Sequence, residues 1–219
     1  MRNPVIAWLL LFVLTAPAPV SAGDLQGTVT VLHKNGSKPL SSFENTAVYL
    51  KGEFGEVPAA EAVLGQKDKK FIPRLLVAMK GQNVVFKNGD KIKHNIFSKD
   101  LDFDVGYMGH QEEAAKSFDR PGMYKIYCNI HKDMVADLVI TGNPYYAVTD
   151  DAGAYAIKNI PEGRYTLVAE HIYGGRKEVP IDIGAAPVSV DLTLESTQVI
   201  RDILEHPNKY GQAYDGGSY

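Results

Sequence analysis

Cysteine is nearly absent from the sequence: Cys128 is the only one among 219 residues. A single cysteine excludes an internal disulfide, although structural cysteines in oxidising compartments usually come in pairs. Excess positive charge is also missing, because 23 basic side chains face 26 acidic ones and the formal net charge is −3. The charge pattern therefore predicts no nucleic-acid partner. A phosphate-binding glycine loop, a nucleophile elbow and a His-Glu-x-x-His zinc motif are absent from the sequence, which favours a protein that is not an enzyme.

Long hydrophobic runs are scarce as well, and the apolar stretch near the N-terminus, residues 5–14, is only about half of the ~20 residues that span a bilayer. Arg2 precedes this stretch, and the small residues Ser21 and Ala22 follow it. These are the three regions of a secretory signal. We therefore expect residues 1–22 to be a signal peptide cleaved after Ala22, a periplasmic or secreted location, and no membrane span in the mature chain. A retained membrane anchor is the alternative.

The most informative segment is Cys128-Asn129-Ile130-His131-Lys132-Asp133-Met134, in which three potential metal ligands recur at intervals of three residues. His94 lies upstream at a strand-like segment and offers a second imidazole. A thiolate, two imidazoles and a weak thioether form the ligand set of a blue-copper electron-transfer site. The pattern predicts one copper ion held by His94, Cys128 and His131, with Met134 as the axial ligand. A buried free thiol and a Cys-His catalytic dyad are the alternatives, and neither accounts for Met134.

This loop, together with His94-Asn95 upstream, resembles the small blue copper proteins of the plastocyanin and amicyanin type, the cupredoxins. Residues 71–77 and 81–86 are similar to the strands that precede the first histidine in that family. The resemblance implies a cupredoxin Greek-key β-sandwich and a type 1 copper ion that alternates between Cu(I) and Cu(II). It also implies that Asn95 ties the two ligand-bearing strands together and that the exposed edge of His131 passes the electron. The partner it implies is a redox protein such as a c-type cytochrome or a periplasmic dehydrogenase.

Secondary-structure signals predict an all-β protein, because short alternating runs are separated by glycine, proline or charged turns and helical periodicity is weak. Asn35-Gly36 is a strong hairpin or turn signal. The predicted strands span residues 25–32, 46–50, 61–64, 75–79, 83–87, 95–98, 114–118, 122–127 and 135–140.

Residues 151–169 resemble a second fold, the transthyretin-like, carboxypeptidase-regulatory type of β-sandwich. Its opening strands are matched near the N-terminus, at residues 27–29, 36–40 and 48–50. We therefore expect a discontinuous domain formed by residues 24–56 and 143–195, with a cupredoxin domain of residues 57–142 inserted between its halves. Two tandem domains, the first spanning residues 24–142, are the alternative. Residues 148–150 and 163–167 add a resemblance to cupredoxin-containing proteins of the type labelled methylamine utilisation protein.

Residues 196–219 are expected to form a flexible tail with one short helix over 197–204, since scattered charge and a glycine- and tyrosine-rich end bury little surface. The other histidines are expected to be surface or hydrogen-bonded side chains: His33, His110, His171 and His206. None forms the His-x-His pair that multicopper oxidases use. The sequence thus predicts an exported blue copper carrier of single electrons. The alternatives are a periplasmic copper chaperone and an interaction or carbohydrate-binding module with a structural copper site.

Overall fold

The computed structural model describes residues 22–204 and 206–214. The predicted signal peptide therefore lies outside the described residues except for Ala22, which begins the first strand. The described chain consists of β-strands in four sheets and one short helix, α1 (Ile200–Leu204). The predicted all-β class is confirmed. Nothing helical in the described ranges has both the length and the hydrophobicity needed to cross a bilayer.

The strand bounds follow the turns of the sequence. The first strands are β1 (Ala22–Leu32) and β2 (Thr46–Leu50). The middle of the chain forms β3 (Ala62–Lys67), β4 (Lys70–Ile72), β5 (Leu75–Met79), β6 (Asn83–Asn88), β7 (His94–Ser98), β8 (Phe103–Met108), β9 (Glu113–Ser117), β10 (Gly122–Tyr127) and β11 (Val135–Thr141). The later strands are β12 (Tyr146–Val148), β13 (Ala154–Pro161), β14 (Gly163–His171), β15 (Arg176–Ile183), β16 (Val188–Ser189) and β17 (Leu192–Glu195).

Strands β3 to β11 form two sheets that enclose one core. The first sheet has the order β4-β3-β6-β9 and the second has the order β5-β11-β10-β7-β8. Burial alternates along β3, where Ala62 and Leu64 are buried while Val63 is exposed, as expected for a strand with one face on a core. The inward side chains, among them Phe86 and Leu138, form a single apolar cluster between the sheets. This part of the chain is a β-sandwich.

The remaining strands form two further sheets that combine both ends of the described chain. Strand β1 pairs with β13, β16 and β17, whereas β2 pairs with β12 and β14, and β15 extends that sheet. Asn35 and Gly36 form a turn with φ angles of 84° and 67°. The turn does not join β1 to β2 as a hairpin, because the two strands belong to different sheets.

A third apolar layer lies between the two pairs of sheets. All residues of β2 and β11 are buried, because one face of each strand meets its own core and the other meets the opposite sheet. Val139 and Val168 belong to this layer. The fully buried carboxylate of Asp137 is paired there with Arg74 and Lys125. Lys125 also donates a hydrogen bond of 3.0 Å to the carbonyl of Ile172, so that β10 is anchored to the neighbouring sheet.

Candidate metal centre

Three predicted ligands meet at one end of the first sandwich because of the strand order. His94 is the first residue of β7, and Cys128 directly follows β10, which pairs with β7 through Tyr127 and Phe97. His131 lies in the loop that connects β10 to β11. Neighbouring strands thus bring together two residues that are far apart in sequence, and the loop supplies the third.

The donor atoms of these residues converge on one small volume. His94 Nδ1 lies 3.1 Å from His131 Nδ1, and Cys128 Sγ lies 3.7 Å from the same atom. The three residues each offer one donor atom, and these atoms all lie within 4.8 Å of one another. His94 and Cys128 are fully buried, whereas His131 is partly exposed. One thiol sulfur and two imidazole nitrogens in this arrangement fit a single transition-metal ion with soft and borderline preferences, such as copper.

The metal loop, residues 128–134, is closed by its own backbone. The amide of Met134 donates to the carbonyl of His131, and the amide of Cys128 donates to the carbonyl of Met134, each at 3.1 Å. The amide of Ile130 points at Cys128 Sγ at 3.5 Å. Met134 is fully buried and belongs to the same apolar cluster as Cys128. The structure therefore joins His94, Cys128 and His131 in one donor set and places Met134 on the buried side of the same loop.

Asn95, the residue after the first histidine, links three elements. Its side-chain NH₂ donates to Asp104 Oδ1 at 2.7 Å and to the carbonyl of Gly106 at 2.8 Å, both on β8. Its Oδ1 accepts a hydrogen bond of 3.3 Å from the amide of Asn129 in the metal loop. Asn95 is fully buried, so these bonds are shielded from water. They connect the strand that bears His94 to the loop that bears Cys128.

Asp90 is a site residue that the sequence analysis missed. His94 Nε2 lies 2.8 Å from Asp90 Oδ2, while Nδ1 of the same ring faces His131. Asp90 also accepts hydrogen bonds from the backbone amides of Asp68 and Lys69, at 2.7 and 2.9 Å. Histidines that bind metals commonly donate their second ring N–H to a carboxylate, which fixes the ring and its tautomer. The spacing of four residues between Asp90 and His94 was the available signal.

Two of the three donors, Cys128 and His131, are shifted toward the protonation states that bind metals, whereas His94 is shifted the other way: burial lowers the pKa of its ring, but the contacts with Cys128 and Asp90 raise it above the ordinary value. Burial opposes ionisation of Asp90, yet hydrogen bonds from the Lys69 amide and from His94 lower its pKa to about 2. Burial likewise opposes ionisation of Cys128, but the contact with His94 and several backbone amides lowers the pKa of the thiol below its ordinary value. Burial and the neighbouring His94 both lower the pKa of His131. A thiolate and a neutral imidazole are the forms that coordinate a metal.

Residues 206–214, here called the C-terminal segment, lie against the metal loop. The ring of His206 is 4.1 Å from the ring of Tyr127, measured between centroids, and the hydroxyl of Tyr214 donates to the carbonyl of Cys128 at 2.8 Å. The sequence analysis predicted a flexible tail over residues 196–219, and its flexibility stays a prediction. The described contacts join residues about 80 positions apart, which local composition does not reveal.

A cavity of about 640 Å³ opens beside His131. Its wall includes Ile92, Tyr107 and Tyr210, whose exposed fractions are 40%, 60% and 70%. Tyr214 of the C-terminal segment also lines it. Since His94 and Cys128 are fully buried, His131 is the member of the donor set through which the site meets solvent.

No family model matches the sequence, and the search of curated proteins finds no match. Among solved structures, the chain is similar to the Cu-containing nitrite reductase NirK from Thermus scotoductus SA-01, with 21% identity over 42% of this chain and 25% of that chain, and a TM-score of 0.36. It is also similar to amicyanin from Paracoccus versutus, with 23% identity, 42% and 96% coverage and a TM-score of 0.34. A purple cupredoxin from Nitrosopumilus maritimus has 22% identity, 37% and 99% coverage and a TM-score of 0.33. The chain thus spans about a quarter of the nitrite reductase and nearly all of the two small proteins.

Proposed function

We propose that this chain is an exported type 1 copper protein that carries single electrons between periplasmic redox proteins. His94, Cys128 and His131 would hold the ion, and Met134 would be a weaker fourth ligand. The observation that carries the proposal is the buried convergence of two Nδ1 atoms and one Sγ atom at the end of a β-sandwich. This is the ligand chemistry of blue-copper sites.

Copper bound there would supply one-electron chemistry by alternating between its +1 and +2 states. The residues of the chain hold the donor atoms still. Asp90 accepts the Nε2–H of His94 and leaves Nδ1 for the ion, and Asn95 fixes the start of the metal loop. Both outer partners are themselves buried and hydrogen-bonded. A rigid donor set of this kind keeps the reorganisation that accompanies electron transfer small.

The electron port in this proposal is the partly exposed edge of His131. Ile92 and Tyr107 present apolar and aromatic surface around the same opening. Lys93 shares this wall, and Lys209 Nζ lies 5.9 Å from the centroid of the Tyr107 ring. Aromatic residues are enriched at protein interfaces. They support a protein partner, for which a c-type cytochrome or a periplasmic dehydrogenase is the proposed class.

Burial of the donor set favours a carrier over a copper chaperone. A chaperone requires a site that exchanges its ion readily, whereas His94 and Cys128 are both fully buried. We also propose that the cupredoxin domain, residues 57–142, is inserted between the halves of a transthyretin-like domain, residues 24–56 and 143–195. The pairing of β1 and β2 with strands that follow residue 145 supports this division.

The test is to add Cu(II) to the purified chain that begins at Gly23 and to record visible absorption and EPR spectra. We expect an intense thiolate-to-copper band with narrow copper hyperfine splitting, bleached by a reductant. Cys128→Ala should lose the band, and His33→Ala, at an exposed histidine outside the donor set, should keep it. A weak tetragonal spectrum, or no copper binding, would contradict the proposal.

A further inference from the structure

The metal loop is held from outside as well as by its own backbone. The hydroxyl of Tyr214 donates to the carbonyl of Cys128 at 2.8 Å, and the amide of Lys209 donates to Asn129 Oδ1 at 2.9 Å. His206 Nε2 lies 2.9 Å from the carbonyl of Lys132, which accepts its proton. The C-terminal segment therefore contacts the loop on both sides of His131.

Aromatic packing reinforces these hydrogen bonds. The ring of His206 lies between Tyr127, at 4.1 Å, and Tyr214, at 5.3 Å in an edge-to-face arrangement. Aromatic contacts of this kind stabilise beyond the burial of area.

An ion pair ties the same segment to β8, the strand that pairs with the one bearing His94. Lys209 Nζ lies 2.7 Å from Asp104 Oδ2, and the other oxygen of Asp104 accepts the bond from Asn95. Asn95 in turn accepts from the amide of Asn129. A single network of hydrogen bonds thus runs from the C-terminal segment through β8 to both parts of the donor set.

We propose that the C-terminal segment is an integral part of the copper centre, in which His206, Lys209 and Tyr214 are positioning residues for the metal loop. The inference rests on the proposed function, since it concerns how firmly copper is held. A free loop has to lose backbone freedom when a metal binds, and each residue that becomes ordered adds to the cost. External bonds that order the loop beforehand remove part of that cost from the binding step.

The experiment compares Tyr214→Phe with Tyr210→Phe in the full chain. The first removes only the hydroxyl that donates to Cys128. The second is the matched control, because Tyr210 lies in the same segment, is 70% exposed, and its hydroxyl makes no hydrogen bond to the residues the structure describes. A double variant, His206→Ala with Tyr214→Phe, removes the stacking as well. Thermal unfolding of each metal-free chain shows whether the fold is intact.

Two measurements are made on each chain: amide hydrogen exchange of residues 128–134 without metal, and release of Cu(I) to an excess of chelator. Loss of one hydrogen bond corresponds to about a five-fold change in an equilibrium or rate. We expect Tyr214→Phe to exchange faster in the loop and to release Cu(I) about five-fold faster. The double variant should exceed it, and Tyr210→Phe should match the parent.

Unchanged loop exchange in both Tyr214 variants overturns the proposal. Faster exchange with unchanged copper release also overturns it, because the segment would then order the loop without affecting the metal. Failure of the proposed function has a separate signature, namely a parent chain without the thiolate-to-copper band. In that event the inference about copper fails with it, whatever the exchange rates are.

Discussion

Replacing Asp90 by asparagine tests how the protein orients its first candidate ligand. Asp90 Oδ2 accepts from His94 Nε2 at 2.8 Å and from the amide of Lys69 at 2.9 Å, and Oδ1 accepts from the amide of Asp68 at 2.7 Å. An asparagine side chain has one acceptor oxygen and one NH₂ group that only donates. In either orientation, at least one of these three donors faces another donor.

The size of the effect follows from these contacts. A hydrogen bond to a charged group contributes about 1.5–3 kcal/mol. Loss of the partner of a metal-bound histidine weakens metal binding about 10–100-fold, which is about 1.4–2.7 kcal/mol. Asp90 is only 7% exposed, so water does not readily take the place of the lost acceptor. We therefore expect Asp90→Asn to bind Cu(I) about 10–100-fold more weakly than the parent chain.

The assay is competition for Cu(I) with a chelator at neutral pH, together with thermal unfolding of the metal-free chains. Asp68→Asn is the matched control, because that side chain is 82% exposed and its backbone amide, not its carboxylate, reaches Asp90. The control should bind copper like the parent. If Asp90→Asn keeps the affinity of the parent, then either His94 does not ligate the metal or its orientation does not depend on Asp90. An unchanged affinity would therefore refute the reasoning.

Two further predictions concern the layer between the sandwiches. Asp137→Ala leaves the partly buried cations of Arg74 and Lys125 without their shared carboxylate, and it should lower the free energy of unfolding in urea by about 3–5 kcal/mol. The control, Asp182→Ala, breaks an exposed pair with Arg164 and should lower it by less than about 1 kcal/mol. Equal losses of stability in the two variants would contradict this prediction. Burial lowers the pKa of His171 from 6.5 to about 4, so the unfolded chain binds more protons between these values and stability should rise with pH across that window. In metal-free protein, His171 should raise the free energy of unfolding by about 2 kcal/mol between pH 5 and pH 8. If the stability of His171→Gln depends on pH as strongly as that of the parent, His171 is not the source of the dependence.

Short strands bounded by glycine, proline or charged turns were predictable from the sequence. The predicted bounds of β2, β5 and β10 agree with the structure. Within residues 57–142, two strands were missed for physical reasons. Strand β4 has three residues, which is too short for a pattern, and β8 is an edge strand with a glycine at position 106 and mostly half-exposed side chains. Edge strands need not alternate, because neither face is fully covered.

The candidate site was predictable where its chemistry is local in sequence. Cys128, His131 and Met134 lie on one loop, so their spacing alone indicated a metal. Asp90 was overlooked because it stands beside the charged residues Lys91 and Lys93 and looks like part of a solvated turn. Its role is visible only in the folded chain, where the ring of His94 turns Nε2 toward the carboxylate of Asp90. The contacts of the C-terminal segment are equally invisible without the fold.

Strand β10 shows how the parts of the molecule act together on the site. Side chains on a strand alternate between faces, so Ile126 and Cys128 point to the core while Lys125 and Tyr127 point away from it. The outward side chains are both secured: Lys125 bonds to Asp137 and to the carbonyl of Ile172, and Tyr127 stacks on His206. Movement of Cys128 would therefore disturb contacts with the second pair of sheets and with the C-terminal segment. Rigidity at the donor set thus depends on distant parts of the chain, because the supports of this strand come from residues 137, 172 and 206, all of which follow the metal loop in the sequence.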